Sequence, residues 1–495
     1  MSALVTTTVL APLICAALGL ALRSNSHARD GVTLVGLIAA AGSAIALLIG
    51  VADNGTEVVR VGSWDPELGI VLVADLFAVL VLPVALTIIV VVEVFAIGQR
   101  RTAWGANPEL TGPLLCILTA GVSLAFLTGD LFTLFVAFEM ILVSSYVLLT
   151  HQGQRGQIRA GMTYVVMNLL ASTLFLLGLA MVYAATGTVN IALAAERISE
   201  LPDGVRLGIG AWFLVVFGTK AAVFPLFSWL PDSYPTAPTT ITAVFAGLLT
   251  KIGIYAMIRF HTVTGMEELG PVMLILAAAT MIIGALGALA QTDVKRILSF
   301  HIVSQIGYML MGLGLFSAAG TTGAILFLIH HMPVKTVLFL VGGLIENEQG
   351  TSALGRSGGL ATRRPLIAVF FAIPALSLAG LPPFSGFAAK FAVISAGIAD
   401  SSTLVVVAAL VAGGLTLLSM TKIWLGVFWG TASDDLADTA APTSPGNRNM
   451  MLAATMLAVI GTLTITVLAG ELFDLSQRAA EGLRAPAVYI AEVTS

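Results

Sequence analysis

The sequence predicts an all-α, polytopic membrane protein of about fourteen transmembrane helices, with an inverted five-plus-five helix repeat and two broken helices. Three observations predict it. Apolar runs of about 20 residues, the length that crosses a ~30 Å hydrocarbon core, recur from end to end. Hydrophobic residues make up 58% of the 495 residues and charged ones only 10%, where a soluble domain carries about 25% charged. Prolines interrupt two of the apolar runs at places five runs apart. The same composition argues against nucleic-acid binding and for a lipid bilayer as the surroundings. Cys15 and Cys116 both fall in apolar runs and make neither a metal spacing nor a disulfide framework. A Gly-rich nucleotide loop, a haem motif and an iron–sulfur spacing are all missing from the sequence. The expectation is therefore no metal and no cofactor.

The spans run approximately Val5–Leu22, Val32–Val51, Ile70–Ile97, Pro113–Leu127, Leu131–Leu149, Gly161–Tyr183 and Leu207–Leu230. They continue as Thr239–His261, Val272–Ala290, Ile297–Leu315, Thr322–Ile345, Leu366–Ile398, Leu404–Trp429 and Met451–Phe473. The first has no basic stretch before it and no small-residue cleavage pattern after it, so it reads as a retained span. Basic residues in alternate loops number twelve against six. The richer set, which includes Arg100, Arg101, Lys295, Arg296, Arg364 and Arg448, is expected to be cytoplasmic.

Spans eight and thirteen both carry a Thr-Lys-Ile step, at Thr250-Lys251-Ile252 and Thr421-Lys422-Ile423. A five-span offset inverts topology, as in transporters built from two related halves. The expected divisions are an N-terminal three-helix region at 1–110, repeats at 111–265 and 266–430, and a polar loop with the final span at 431–495. The polar stretch Gly430 to Asn449 reads as a flexible connector.

Five of the six lysines lie inside apolar spans, whereas the 17 arginines cluster between the spans or at their ends. That separation is chemical. Arginine stays charged at any relevant pH, while a desolvated lysine can release its proton near neutrality. Ionisable residues at membrane depth are costly and point to function. Glu139 is central in span five, Lys220 in span seven and Lys251 in span eight. His330, His331 and Lys335 follow one another in span eleven, with His331 and Lys335 four apart. Lys390 comes seven residues after Pro383 in span twelve. Adjacent histidines point in different directions, so His330 and His331 make a poor metal site, and which of them would relay protons stays open. Pro225 and the Pro382-Pro383 pair mark the helix breaks. Non-helical backbone at membrane depth needs protein or water to satisfy it, so each break implies a hydrated neighbourhood. Lys422, near a span end, reads as snorkelling to the interface. Glu, Lys and His in one file, without cofactor ligands, suit proton movement. Glu139 is expected to pair with Lys220 directly or through water, as a two-state proton switch.

The same residues carry a family resemblance. Phe224-Pro225-Leu226-Phe227-Ser228-Trp229-Leu230-Pro231-Asp232 with Ala237-Pro238-Thr239 resembles the span-seven signature of the antiporter-like proteins. These include membrane subunits of respiratory complex I, membrane hydrogenase subunits and the Mrp-type cation/proton antiporters. Two further blocks, Asp293 to Tyr308 and Leu381 to Phe387, resemble that family in the expected order. Gly62 to Asp75 and Gly129 to Phe132 are similar to the early region of the D-type subunits of Mrp antiporters. Lys390 stands where the middle complex I subunit usually has Glu, and the chain is too short for the largest members. The resemblance implies a proton-translocating subunit of a multi-subunit Na+ or Li+/H+ antiporter, multi-pass in a bacterial plasma membrane, with further membrane subunits as partners and no enzymatic activity of its own. The alternative is a pump module of a redox-driven complex. Glu139, Lys220, Lys251 and Lys390 are the implied central polar path, with His331 and Lys335 in the family's span-eleven region. Many relatives have His where this chain has Phe227.

Overall fold

The structure is a computed structural model, described here for residues 1–67, 69–103, 109–150, 153–431 and 445–494. The connector between the thirteenth and fourteenth spans falls mostly outside the described residues, as do the side chains of Arg100 and Arg101. Helices dominate. The N-terminal region holds α1 (Ser2–Ala21), α2 (Ser26–Asn54), a hairpin of β1 (Glu57–Arg60) and β2 (Val71–Ala74), and α3 (Leu76–Ala103). Next come α4 (Thr111–Leu127), α5 (Leu131–Thr150), α6 (Arg155–Thr186), the short α7 (Ile191–Ser199), α8 (Asp203–Ala221), α9 (Trp229–Ser233) and α10 (Thr239–Val263). The following group is α11 (Gly270–Ala290), α12 (Val294–Gly314), α13 (Ala318–Gln349), α14 (Leu360–Arg363), α15 (Pro365–Ala379), α16 (Ser385–Ala399) and α17 (Thr403–Ile423). The chain closes with α18 (Pro445–Val467), α19 (Ala469–Leu483) and α20 (Pro486–Thr494).

Among the described residues, 12 helices are long and apolar enough to span a membrane. The fourth expected span is the shorter α4, and the twelfth is divided between α15 and α16, so helix length does not establish the count of fourteen. Three local corrections follow. The third span does not begin at Ile70: Val71–Ala74 is the second strand of an antiparallel hairpin, paired Glu57 to Ala74 through Arg60 to Val71. Asp75 then starts the helix by accepting a hydrogen bond from Ala78 N at 2.9 Å. The last span ends at Val467, and the apolar run beyond it turns into the amphipathic α19. Helix starts elsewhere follow capping chemistry. Asn25, Asn190, Asp293 and Ser317 each accept a backbone N–H at the head of α2, α7, α12 and α13. Left-handed Gly187 and Gly350 close α6 and α13.

Ion pairs join loops that lie an even number of spans apart, as alternate loops on one membrane face must. On one face, the Lys295 face, Glu348 at the end of α13 receives Arg364 and Arg448, each at 2.8 Å, and Arg296 pairs with Asp232 at 2.9 Å. On the other, the Asp75 face, Arg484 reaches Glu267 at 3.3 Å, and Arg206 and Arg197 contact Glu268 and Glu67. Between the two faces α10 and α13 form the centre, with every residue of α10 buried. Close approach there depends on small residues. A Cβ at Gly253 of α10 would meet Ala221 N at 2.7 Å, so the α8 backbone touches α10 beside Lys220 and Lys251.

Candidate functional site

α8 ends at Ala221, where Ala222 takes left-handed backbone angles (φ 62°) and the chain runs irregularly to α9. The break is satisfied by protein. The Trp229 indole N–H donates to Thr219 O at 3.0 Å, Val223 N to Gly218 O at 2.9 Å, and Phe224 N to Thr280 Oγ1 at 3.1 Å. Lys220 sits on the last turn before the break, buried. Its ammonium donates to Ser172 Oγ at 3.1 Å and Asn168 O at 3.3 Å on α6, and stands 5.3 Å from the centre of the Phe138 ring. Among the described residues no direct ion pair joins it to Glu139, so the direct form of the expected pairing is not what the structure holds. Glu139 lies one residue from Phe138, whose ring stands against the Lys220 ammonium. Its Oε1 is buried without a hydrogen-bond partner. A cavity of about 20 Å³, room for about one water molecule, lies between Lys220, Asn168 and Tyr164 and the α10 residues Leu249 and Ile252 that bracket Lys251.

A second group gathers around α13. Lys251, His331 and Lys335 are fully buried. Lys251 donates to Ala246 O, and Lys335 to Leu298 O on α12 at 3.1 Å. His331 finds no hydrogen-bond partner for either ring nitrogen. His330 points elsewhere, sharing a 2.9 Å hydrogen bond with Ser385 Oγ at the start of α16. That start follows the second break, from left-handed Gly380 to Phe384. Lys390, 6% exposed, reaches back to the end of α15, donating to Ala379 O at 3.2 Å, and lies 4.9 Å from the Tyr308 ring centre. The backbone of both breaks carries a cis X-Pro bond, at Pro225 and Pro383.

The structure thus places Lys251, His331, Lys335 and Lys390 on three packed helices, α10, α13 and α16, and sets Lys220 against the α5 residue next to Glu139. Among the described residues no group of three or more metal-ligating side chains gathers.

Three comparisons with known proteins bear on this arrangement. A family model described as NADH:quinone oxidoreductase/Mrp antiporter, TM matches residues 128–416. The D-type subunit of the Na(+)/H(+) antiporter of Alkalihalophilus pseudofirmus is 41% identical over 475 residues, covering 94% of this chain and 93% of that protein. The chain belongs to the NADH:quinone oxidoreductase/Mrp antiporter family. The corresponding D-type subunit of Bacillus subtilis is 35% identical over 468 residues, covering 92% of each chain. Among solved structures, a chain of the Mrp complex from Dietzia sp. is 35% identical with a TM-score of 0.91, over 100% of this chain and 99% of that one. A chain of a membrane-bound sulfane sulfur reductase, an archaeal respiratory complex, is 25% identical with a TM-score of 0.89, covering 99% of both chains.

Every residue of the predicted path lies within the segment matched by the family model, whereas Asp75 and Lys422 fall outside it. Lys422, half-buried, is held by a neighbouring helix. Its ammonium donates to Leu289 O at 2.9 Å and Gln291 O at 2.7 Å, tying the carbonyl end of α11. A cation there is worth about 0.3–1 kcal/mol. Lys422→Met is expected to keep transport within about twofold while lowering stability by about that amount. Transport and thermal inactivation of the purified variant check both halves.

Sequence reasoning missed the polar stripe on α12. His301, Gln305 and Tyr308 follow at helical spacing on one face. His301 shares a hydrogen bond with Ser419, Tyr308 donates to Ala409 O, and both polar atoms of the buried Gln305 side chain lack a hydrogen-bond partner. Buried polar atoms of this kind are satisfied by internal water. The available signal was the His301–Tyr308 spacing inside a block quoted only for its likeness to relatives. Missed as well was the pairing of Lys295 with Glu346 at 2.6 Å, beside a polar cavity of about 230 Å³ that includes Gln154, Gln157 and Thr239.

Proposed function

We propose that this chain translocates protons within a multi-subunit antiporter exchanging Na+ or Li+ for H+, along Glu139, Lys220, Lys251, His331, Lys335 and Lys390. His330 and the α12 stripe serve as its flanking polar contacts. One observation carries the reading. The hydrogen-bond partners of the four path lysines are carbonyls and a hydroxyl, not carboxylates. Such partners accept a hydrogen bond from an amine as well as from an ammonium, so each lysine is held in place in either protonation state. A salt-bridged lysine would be locked in the charged form. The chain acts as a transporter subunit without chemistry of its own, multi-pass in a bacterial plasma membrane, its Lys295 face cytoplasmic by the basic-residue majority.

The same arrangement supports two related halves, 111–265 and 266–430, flanked by 1–110 and 431–495. Each half contains one helix broken beside a lysine, and the breaks are five spans apart. The ends of the path approach lateral edges. Phe132, Val136 and Val143 expose apolar surface on the face of α5 that carries half-buried Glu139, and Phe387, Phe391 and Ile398 do so on α16. Partner membrane subunits or lipid meet those faces.

The experiment is reconstitution of the native complex in liposomes with its subunits identified. An imposed pH gradient should drive Na+ or Li+ movement with no electron donor present. The likeness to the sulfane sulfur reductase chain favours a second reading, a proton-pumping subunit of a redox-driven complex. Co-purifying redox subunits, with transport only on addition of a donor, would select it.

A further inference from the structure

Lys251, Tyr255 and Arg259 follow at i, i+4 and i+8 on α10, so they share one helix face. The face leads about 12 Å from mid-membrane toward the Asp75 face. At its end the Arg259 guanidinium, 4% exposed, grips both carboxylate oxygens of Asp75 and donates to Tyr255 Oη at 2.7 Å. The Tyr255 hydroxyl in turn donates to Phe126 O at 2.6 Å. Rings of Phe77, Tyr255 and Tyr489 surround the guanidinium at 5.3–5.4 Å. Two buried polar atoms here have no hydrogen-bond partner, Arg259 Nε and the Tyr489 hydroxyl. Beyond Asp75 lies a cavity of about 110 Å³, whose lining includes Thr56, Arg478, Tyr489 and Glu492. Its cover is α20, which Arg60 holds through the carbonyl of Val493 at 3.5 Å.

We propose that Asp75, Arg259 and Tyr255, covered by Tyr489, form the gate through which Lys251 exchanges protons with the Asp75 face. The inference rests on Lys251 being part of the proton path. An ion pair that served only to brace α3 against α10 would need neither the helix face running to Lys251 nor a cavity reached by Arg478 and Glu492 on its far side. In the closed arrangement Arg259 occupies both oxygens of Asp75 and its stacked rings exclude water. With Arg259 turned aside and Lys251 Nζ swung from Ala246 O, which it holds in this structure, toward Tyr255, the proton leaving it passes by the Tyr255 hydroxyl, which takes one proton and gives up another, to the Asp75 carboxylate. From there it goes to water in the cavity between Arg478 and Glu492. Protonated Asp75 no longer attracts Arg259, so arrival of the proton and opening are linked. Asp75 is the carrier, and Arg259 is a positioning residue.

Access to position 251 tests this without depending on transport. Lys251→Cys is introduced with Cys15→Ala and Cys116→Ser, in the native complex in sealed vesicles. An impermeant methanethiosulfonate is applied from the Asp75 face. Labelling should be slow with the gate intact, about tenfold faster with Arg259→Gln, the change expected when one ion pair sets the open population, and slow again with Arg259→Lys. Equal rates in all three overturn the gate. If Arg259→Gln does not assemble, Tyr489→Ala decides, because it removes the cover and leaves the ion pair. It should speed labelling, and an unchanged rate overturns the proposal. Failure of the proton path itself reads differently: Lys251→Ala would then transport normally, whatever the labelling rates.

Discussion

Replacing Lys390 with arginine is expected to stop proton-coupled transport as completely as replacing it with alanine. Both variants should lose about 100-fold or more of the pH-gradient-driven antiport, the scale of a lost proton-transfer group. The reason is the one that separates lysine from arginine throughout this chain: arginine cannot give up its proton. Lys390 is bound to Ala379 O and faces Tyr308, neither of which needs a positive charge in order to fold. A side chain at Gly380 would strike Lys390 Cδ at 2.7 Å, so the site is tight, and arginine adds bulk as well as charge. Lys390→Gln separates the two effects, since it is smaller and neutral and should fail equally. The measurement is antiport by the assembled complex in inverted vesicles, read with a pH-sensitive dye. Robust antiport by Lys390→Arg would leave this residue as a fixed electrostatic element and contradict proton carriage.

Glu139→Ala should abolish antiport in vesicles while the complex still assembles. Glu139 sits on an α5 face edged by exposed Val136 and Val143, and its Oε1 is buried without a hydrogen-bond partner. A carboxylate oxygen buried without a partner is costly, so its place here calls for a function. Glu139→Gln is the sharper variant, because it keeps size and polarity and removes the capacity to take up and release a proton. It should fall with alanine, by about 100-fold. Assembly is checked by co-purification of the partner subunits. Normal antiport in either variant would sink the proposal that Glu139 works Lys220 as a switch.

The lysine file and the two broken helices were legible in the sequence because each is a violation visible at one position. A lysine or a proline in some ten apolar residues on either side has no neutral explanation in lipid. What stayed hidden depends on partners distant in the chain. Asp75 and Arg259 are 184 positions apart, and Arg259 stands near the end of an apolar run, where an arginine is ordinary. Gln305 and Tyr308 are ordinary polar residues in sequence, and only their burial on a common face, with Lys390 over the Tyr308 ring, gives them meaning. The hairpin was lost for another reason. Ile70 to Ala74 is apolar enough to read as the first turns of α3, and hydropathy alone cannot tell a buried strand from a helix start. Direct pairing of Glu139 with Lys220 was an inference from charge, and the backbone carbonyl of Asn168 and the Ser172 hydroxyl supplied what lysine needed instead.

The division of one span between α15 and α16 bears on how the chain enters its membrane. Each half has 15 residues, about 22 Å of helix, too short to cross a ~30 Å hydrocarbon core alone. The second half also carries Lys390, which costs about 2.5–3.5 kcal/mol at a helix centre on insertion scales. Neither half is a stable lodger in lipid by itself, and polar groups at the start of the second half, the Ser385 N–H and hydroxyl, find partners on neighbouring helices. Ser385 N is met by Thr466 Oγ1 of α18 at 3.1 Å, and Ser385 Oγ by His330 of α13. Because α18 is synthesised after both halves, the segment from α15 to α16 waits for a later helix before its backbone is satisfied. Integration of this region is therefore a late, cooperative event, and a ribosome stalled before residue 466 would leave it unfinished.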